Sequence, residues 1–304
     1  MSYDDDRSQA LGTALILAIS QGLPPFIGHP VAAALSYVIG NRLLSPTFRA
    51  ISQNQWVAHD GKLTPAQLKQ KIRQVYQNQG RLLYDFYHNL DRPAEIKKLV
   101  TLSPSFQKMM QECQTGNNKQ GTLLLMPHVS GFNLAGLYLA QIGFHFLSLA
   151  IPNPNRGYAW QNKIRNERGM EVIPMDLEGI SLARKRLQSG GAVLTGVDRP
   201  WENSDHRPMF FGRPAELPVA YIKLALRTNA RVFGVGFRCN PDHSCLIDLS
   251  PQIEMESCDD PNQELLINAE KVLKVLEGFI RVDPTQWMMF LPVWPGVEKE
   301  IPKI

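Results

Sequence analysis

The residues best suited to chemistry lie between Met126 and Asn133, a segment that reads Met-Pro-His-Val-Ser-Gly-Phe-Asn. An apolar strand is predicted over Thr122–Met126, so His128 follows its carboxyl end. Ligand sites of open α/β sheets gather beyond the carboxyl ends of strands, and a histidine there is well placed to take a proton from a substrate. We therefore interpret His128 as a candidate general base. A packed, hydrogen-bonded histidine at a strand end is the alternative.

Asn133 follows at the predicted start of a helix, where it could accept the Nδ1 proton of His128 and fix the tautomer of the ring. Its amide carries no charge to stabilise an imidazolium. Three interpretations stay open: another carboxylate supplies that charge, with Asp198, Glu167 and Glu178 as candidates; the protein is a slow enzyme; or the site is catalytically silent. Asn133 is also a residue type that caps helices.

Ser130 suggests a rival chemistry, in which a serine beside His128 acts as a nucleophile. The Gly-x-Ser-x-Gly pattern of the hydrolase nucleophile elbow is absent from this segment. His128 and Ser130 would also share one turn, which is an unusual geometry for a catalytic triad. The sequence therefore disfavours a hydrolase.

The four cysteines, Cys113, Cys239, Cys245 and Cys258, form no Cys-x-x-Cys pair. His243 lies between the second and the third, but this spacing is a poor match to zinc sites. We therefore expect no metal and, in a cytosolic compartment, reduced thiols.

The elements that must position these residues alternate between strands and helices, which is typical of an α/β fold with a mostly parallel central sheet flanked by helices. Strands are predicted over Thr122–Met126, Phe144–Ala150, Ala192–Gly196, Arg231–Phe237 and Leu246–Leu249, and helices over Asn133–Gln141, Ile180–Leu187, Pro218–Leu226 and Glu264–Ile280. A polar stretch over residues 115–121 precedes this pattern.

Residues 46–115 are predicted to be helical. Thr64 and Pro65 form a good helix start, and an apolar stripe at helical spacing follows them. The expected organisation is a helical N-terminal region over residues 1–115, which leads into one integrated α/β core over residues 116–304.

No charged side chain occurs between Arg7 and Arg42. Two apolar stretches within this interval, over residues 11–19 and 31–39, are each about half the length of a membrane-spanning helix. A break at residues 20–25 separates them, and the acidic start of the chain is unlike a secretory signal. Two buried helices and a helical hairpin that dips into one leaflet both fit this pattern.

Several further blocks accompany His128. They are residues 153–155 with Arg165 and Arg168, residues 196–199 (Gly-Val-Asp-Arg), residues 210–215 (Phe-Phe-Gly-Arg-Pro-Ala) and residues 283–287 (Asp-Pro-Thr-Gln-Trp). Together they resemble the lipid A biosynthesis lauroyl/myristoyl acyltransferases, within the lysophospholipid acyltransferase superfamily, from about residue 10 to about residue 295. Asn133 stands where that family has the acidic residue of its His-x4-Asp/Glu motif.

The resemblance implies an O-acyltransferase of lipid biosynthesis. It would move a fatty acyl group from a thioester of acyl carrier protein or coenzyme A to a hydroxyl of a membrane glycolipid or lysophospholipid. His128 would be the base, the hydroxyl would attack directly, and no cofactor or metal is implied. The expected catalytic residues are His128, Asn133 and Asp198, and the expected substrate-binding residues are Ser130, Arg165, Arg168, Arg199, Phe211 and Gly212.

Some of these residues have plainer interpretations. Arg165 and Arg168, with Arg156 and Lys163, could form a solvated helix face, and Asp198 with Arg199 could be a salt bridge in a turn. Phe210 and Phe211 could be ordinary core. The aromatic-rich run over residues 287–294 is expected to be a buried edge strand.

In front of such a core, the uncharged segment over residues 8–41 is best interpreted as a device that docks the protein on a membrane. We expect a peripheral or monotopic protein on the cytoplasmic face of the inner membrane. The formal net charge of +4 suits an anionic membrane surface, and no nucleic-acid partner is expected.

Overall fold

The structure is a computed structural model that describes residues 15–40, 45–114, 120–129, 131–200 and 205–303. Ser130, the polar residues 115–119 and the first part of the uncharged segment lie outside the described residues. Helices occupy residues 15–22 (α1) and Pro25–Gly40 (α2), Pro46–Ala58 (α3), Pro65–His88 (α4), Pro93–Leu99 (α5), Pro104–Gln114 (α6), Phe132–Gln141 (α7), Arg156–Glu167 (α8), Leu177–Gln188 (α9), Ala220–Thr228 (α10) and Pro261–Val282 (α11).

A seven-stranded sheet forms the centre of the molecule, in the order β1-β9-β8-β2-β5-β3-β4. Its strands are Val100–Leu102 (β1), Thr122–Met126 (β2), Phe146–Ala150 (β3), Glu171–Pro174 (β4), Ala192–Gly196 (β5), Arg231–Cys239 (β8) and Cys245–Gln252 (β9). Met209–Phe210 (β6) and Arg213–Pro214 (β7) form a separate ribbon. Neighbouring strands of the large sheet are parallel except for β8 and β9. The predicted α/β class, with helices around a mostly parallel sheet, is confirmed.

Both faces of the sheet are covered, as its apolar strands require. In β2, Leu124 packs into a core formed with α4 to α7, whereas Leu123 and Leu125 pack into a second core formed with α9, α10 and α11. This alternation follows from the period of two residues in a strand. Strand β2 is therefore held rigidly from both sides, together with the loop that follows it.

The N-terminal helices pack closely on this core. α2 lies against α4, where Gly80 allows the backbone carbonyl of Ala32 to approach. α4 begins at the predicted position, with a capping box between Thr64 and Gln67. Among the helices that the structure describes, none is both long and apolar enough to cross a bilayer.

Two predictions about secondary structure are wrong. Residues 100–102 are not helical, because they pair with β9 at the edge of the sheet. Residues 287–294 do not form an edge strand, although Trp287 and Trp294 are buried as expected. Asn54 Nδ2 donates to the carbonyls of Met289 and Leu291, and Asn54 Oδ1 accepts from the Val293 amide. This side chain thus takes the place of a neighbouring strand. Pro292 has no N–H to donate to a strand.

The expectation of reduced thiols is wrong for two cysteines. Cys239 and Cys245 lie opposite each other where β8 turns into β9, and they form a disulfide. The short turn between the strands brings them together, which the spacing alone did not indicate. Cys113 and Cys258 are free thiols.

Candidate active site

His128 and Asp198 form a hydrogen-bonded pair beyond the carboxyl ends of two neighbouring parallel strands. β2 and β5 are in register at Met126 and Gly196, and each member of the pair follows two positions later. His128 Nδ1 lies 2.5 Å from Asp198 Oδ1, and the His128 amide donates to both carboxylate oxygens at 3.1 and 2.9 Å. Because the carboxylate holds Nδ1, Nε2 is the nitrogen that can take up a substrate proton.

Asp198 is completely buried. Its second oxygen accepts a hydrogen bond of 2.6 Å from Trp287 Nε1. Burial, and after it the negative charge of Asp198, raises the pKa of the nearby Tyr221 hydroxyl. A carboxylate held in this way orients the imidazole of His128 and can stabilise the positive charge that the ring acquires as a base.

The loop that carries His128 is fixed from two sides. The imidazole lies against Gly196, where an added Cβ would come within 2.5 Å of the ring. The Met288 amide donates to the His128 carbonyl at 2.7 Å, and Val129 pairs with Trp287. A residue larger than glycine at position 196 would therefore displace the candidate base.

Two spaces meet at His128. The first is a cavity of about 90 Å³ between the sheet and α7, with a mostly apolar lining that includes Leu139, Phe146 and Phe237. The second is a groove of about 480 Å³ between α3, α4, α8 and the C-terminal segment. The imidazole thus lies at the junction of an apolar internal space and an open groove.

Asn133 does not contact His128 in the way that the sequence suggested. Its Oδ1 accepts a hydrogen bond of 2.8 Å from Arg165 Nε, and the helix N-cap is Gly131 rather than Asn133. The carboxylate that contacts His128 is therefore Asp198, which follows β5. Asn133 is a hydrogen-bond acceptor for Arg165.

Arg165 is a buried cation in the same cavity. Its other hydrogen bonds go to the side-chain amides of Asn162 and Gln161, and the rings of Phe132 and Tyr158 lie about 5 Å from its guanidinium carbon. These amide partners satisfy N–H groups but do not cancel the charge. The wall of the cavity that His128 lines therefore contains a positive charge, and Arg165 is not part of a solvated helix face.

The other predicted residues fall into two groups. Arg199 lines the groove at His128. Arg168 instead pairs with Asp91 at 2.8 Å, and Phe211 and Gly212 lie in the β6–β7 turn, outside the linings of both spaces. Phe211 is a core residue that stacks on Trp287, the tryptophan that donates to Asp198.

The other two carboxylates considered for His128 lie elsewhere. Glu167 is 3.9 Å from Lys163, and Glu178 is exposed in the first turn of α9. Sequence reasoning missed the role of Trp287. It noted this tryptophan only as part of an aromatic run, although an indole N–H in such a run was a signal that a buried acceptor would be needed.

The sequence is similar to known acyltransferases. The family profile described as bacterial lipid A biosynthesis acyltransferase matches residues 61–295. A phosphatidylinositol mannoside acyltransferase of Mycobacterium tuberculosis H37Rv is 25% identical over 187 residues, which are 57% of this chain and 54% of that protein. The protein of the same name in Mycolicibacterium smegmatis is 24% identical over 179 residues, 58% of this chain and 57% of that protein. The chain thus spans little more than half the length of these curated relatives.

Proposed function

Because the chain belongs to the bacterial lipid A biosynthesis acyltransferase family, we propose that it transfers a fatty acyl group from a thioester to a hydroxyl of a membrane glycolipid. The observation that carries this proposal is the bond between His128 and the buried Asp198, at the junction of an apolar cavity and an open groove.

In the proposed reaction, His128 Nε2 takes the proton of the acceptor hydroxyl while the hydroxyl oxygen attacks the thioester carbonyl carbon. Asp198 keeps Nδ1 protonated and stabilises the imidazolium. Collapse of the tetrahedral intermediate breaks the carbon–sulfur bond, and the leaving thiolate takes the proton back from Nε2. The acyl group moves directly from sulfur to oxygen, so no acyl-enzyme forms.

The two spaces suggest places for the two substrates. The apolar cavity, of about 90 Å³, suits only the carbons of the donor acyl chain next to the thioester. The positive charge of Arg165 suits the negatively charged oxygen that forms when the thioester carbonyl is attacked. The groove suits the headgroup of the acceptor, with Arg199 available for a phosphate. The donor is a thioester of acyl carrier protein or coenzyme A.

For the acceptor, the names of the mycobacterial relatives favour a mannosylated phosphatidylinositol, which combines sugar hydroxyls with a phosphate. A lysophospholipid and a lipid A precursor are the competing acceptors. All three have a hydroxyl and an anionic headgroup.

The N-terminal helices supply the proposed membrane contact. Phe26 and Val38 in α2 are 77% and 70% exposed, in a segment without charged residues. α1 and α2 border a second groove of about 650 Å³ that shares Gln79, Tyr158 and other residues with the groove at His128. We therefore propose that the protein docks as a peripheral protein on the cytoplasmic face of the inner membrane.

The function is tested with purified protein, radiolabelled acyl donors of both kinds and the three acceptors, each assayed separately. Wild-type protein should acylate one acceptor, and His128→Ala should not, whereas the exposed His145→Ala should match the wild type. Equal activity of His128→Ala would contradict the mechanism. Absence of acylation of any lipid extract would favour the alternative, a silent lipid-binding relative.

Membrane docking is tested by flotation with anionic liposomes. The double substitution Phe26→Ser and Val38→Ser should reduce binding. Leu177→Ser, which removes a side chain on α9 that is even more exposed, should not. If both variants bind like the wild type, α2 is not the docking element.

A further inference from the structure

A second group of side chains that could bind a ligand lies apart from the two spaces at His128. It consists of His29 in α2, Asp85 in α4 and His243 in the turn between β8 and β9. His29 Nε2 lies 2.5 Å from Asp85 Oδ1, and the imidazoles of His29 and His243 stack with centroids 4.1 Å apart. One nitrogen or oxygen from each residue lies within 4.8 Å of the others.

We propose that His29, Asp85 and His243 bind a divalent transition-metal ion, with Zn²⁺ as the best match. Two imidazoles and one carboxylate are a donor set that zinc commonly uses, with water in the fourth position. Within the described part of the chain, this is the one group of three such donors close enough to share an ion. The proposal is independent of the acyl-transfer function.

A second observation points to a ligand at this place. His243 Nδ1 is buried and has no hydrogen-bond partner within the described structure. Leaving a buried polar nitrogen without a partner costs about 1–3 kcal/mol, and native proteins rarely accept that cost. A metal ion bound at Nδ1 would remove that cost.

The three donors are held by rigid surroundings. The disulfide between Cys239 and Cys245 closes the turn that carries His243, and this histidine has a left-handed backbone with φ of 69°. The ring of Tyr84 lies edge-on to His29. Orientation of the ligands by neighbouring groups is a general property of metal sites in proteins.

Metal binding requires the two imidazoles to leave their stack. Zinc bonds of about 2.0–2.1 Å place neighbouring tetrahedral donors about 3.4 Å apart. His29 Nε2 and Asp85 Oδ1 would separate slightly as the metal replaces their hydrogen bond. The two imidazoles would tilt out of their parallel stack, so that one nitrogen of each points at the ion.

Such a site would cross-link three distant parts of the chain. It would tie α2, which carries the proposed membrane-docking side chains, to α4 and to the turn between β8 and β9. The expected role is therefore structural, in holding the N-terminal helix on the core, and does not include a step in acyl transfer.

The test uses full-length protein freed of metal with a chelator and then titrated with ZnCl₂, in a background where Cys113→Ser and Cys258→Ser remove the free thiols. One equivalent of Zn²⁺ should bind, Tm should rise by several degrees, and amide hydrogen exchange in α2 should slow. His243→Ala should weaken zinc binding at least about tenfold, and the exposed His145→Ala should bind like its parent.

Asp85→Asn, which keeps the size of the side chain, provides a second variant should His243→Ala fold poorly, and its affinity for zinc should also fall. Absence of stoichiometric zinc binding by the parent protein would overturn the proposal. So would equal affinity in the parent, His243→Ala and Asp85→Asn, because the zinc would then lie elsewhere.

Discussion

Within the described residues, two histidine–aspartate pairs have the same contact distance but different surroundings. In both pairs an imidazole nitrogen lies 2.5 Å from a buried carboxylate oxygen. In the pair formed by His128 and Asp198, the histidine engages Nδ1. In the pair formed by His29 and Asp85, it engages Nε2.

The two pairs differ in the third group that contacts each of them. The second oxygen of Asp198 accepts a hydrogen bond from the indole of Trp287, and His128 borders the two spaces that we propose for the substrates. His29 instead stacks on another imidazole. A short histidine–carboxylate contact therefore does not by itself indicate a catalytic general base. The neighbouring groups decide whether the pair is suited to proton transfer or to a metal ion.

The largest effect is expected when each aspartate is replaced in turn. Asp198→Asn should reduce acyl transfer by about 10²- to 10⁴-fold, because His128 loses the charge that stabilises its protonated form. Asp85→Asn should leave acyl transfer at the wild-type level. Initial rates with a labelled thioester decide the matter, and equal losses in both variants would show that the two pairs do not have separate roles.

A smaller effect is expected at Trp287. Trp287→Phe keeps an aromatic ring in the core but removes the hydrogen bond to Asp198. Because hydrogen bonds to charged groups contribute about 1.5–3 kcal/mol, we expect a loss of about tenfold or more in kcat. The buried Trp294→Phe, in the same aromatic cluster, serves as the control. An equal loss in both variants would indicate damage to packing.

A substitution at position 133 tests the departure from the family motif. Asn133→Asp gives the buried Arg165 a charged partner, so Tm should rise. It should also neutralise the positive charge in the wall of the cavity and weaken donor binding several-fold, seen as a higher KM. If Asn133 instead limits the rate of His128, kcat would rise, as the slow-enzyme interpretation of the sequence requires.

The smallest effect concerns His59, whose ring contacts a backbone carbonyl and not a carboxylate. Its Nδ1 contacts the Gln55 carbonyl at 2.8 Å, and burial lowers its pKa. The unfolded chain therefore binds a proton more readily, and stability falls as the pH drops below about 6.5, with a slope of at most about 1.4 kcal/mol per pH unit. Below the folded-state pKa of His59 this contribution levels off.

Urea unfolding between pH 5 and 8 measures this slope. His59→Gln should make the decrease in stability toward acid shallower, whereas His145→Gln, on the surface, should not. An unchanged slope in His59→Gln would show that other groups cause the acid sensitivity.

The sheet and the position of His128 could be predicted because they depend on local patterns. Apolar runs define β2 and β5, and the carboxyl ends of parallel neighbours must meet at one edge. Reasoning from the residues alone left Asp198 as one of three candidate carboxylates, and only the family resemblance put it among the expected catalytic residues. The choice among the three depends on the register between two strands about 70 residues apart.

Other features escaped prediction because partners distant in sequence decide them. The side chain of Asn133 accepts a hydrogen bond from Arg165 on another helix. The backbone of residues 289–293 forms its hydrogen bonds with the Asn54 side chain. The disulfide depends on the register of β8 and β9. The pairing of His29 with Asp85 joins two helices, and no short motif contains both residues.

The groove that runs from His128 toward α1 and α2 bears on how a lipid acceptor could be handled. Pulling an acyl chain from a bilayer into water costs about 0.8 kcal/mol for each methylene, so a chain of about sixteen carbons would be prohibitively expensive to extract. A groove bordered by helices that themselves rest in the leaflet would let the hydroxyl rise to His128 while the tails stay in hydrocarbon. The enzyme would then need to lift only a headgroup.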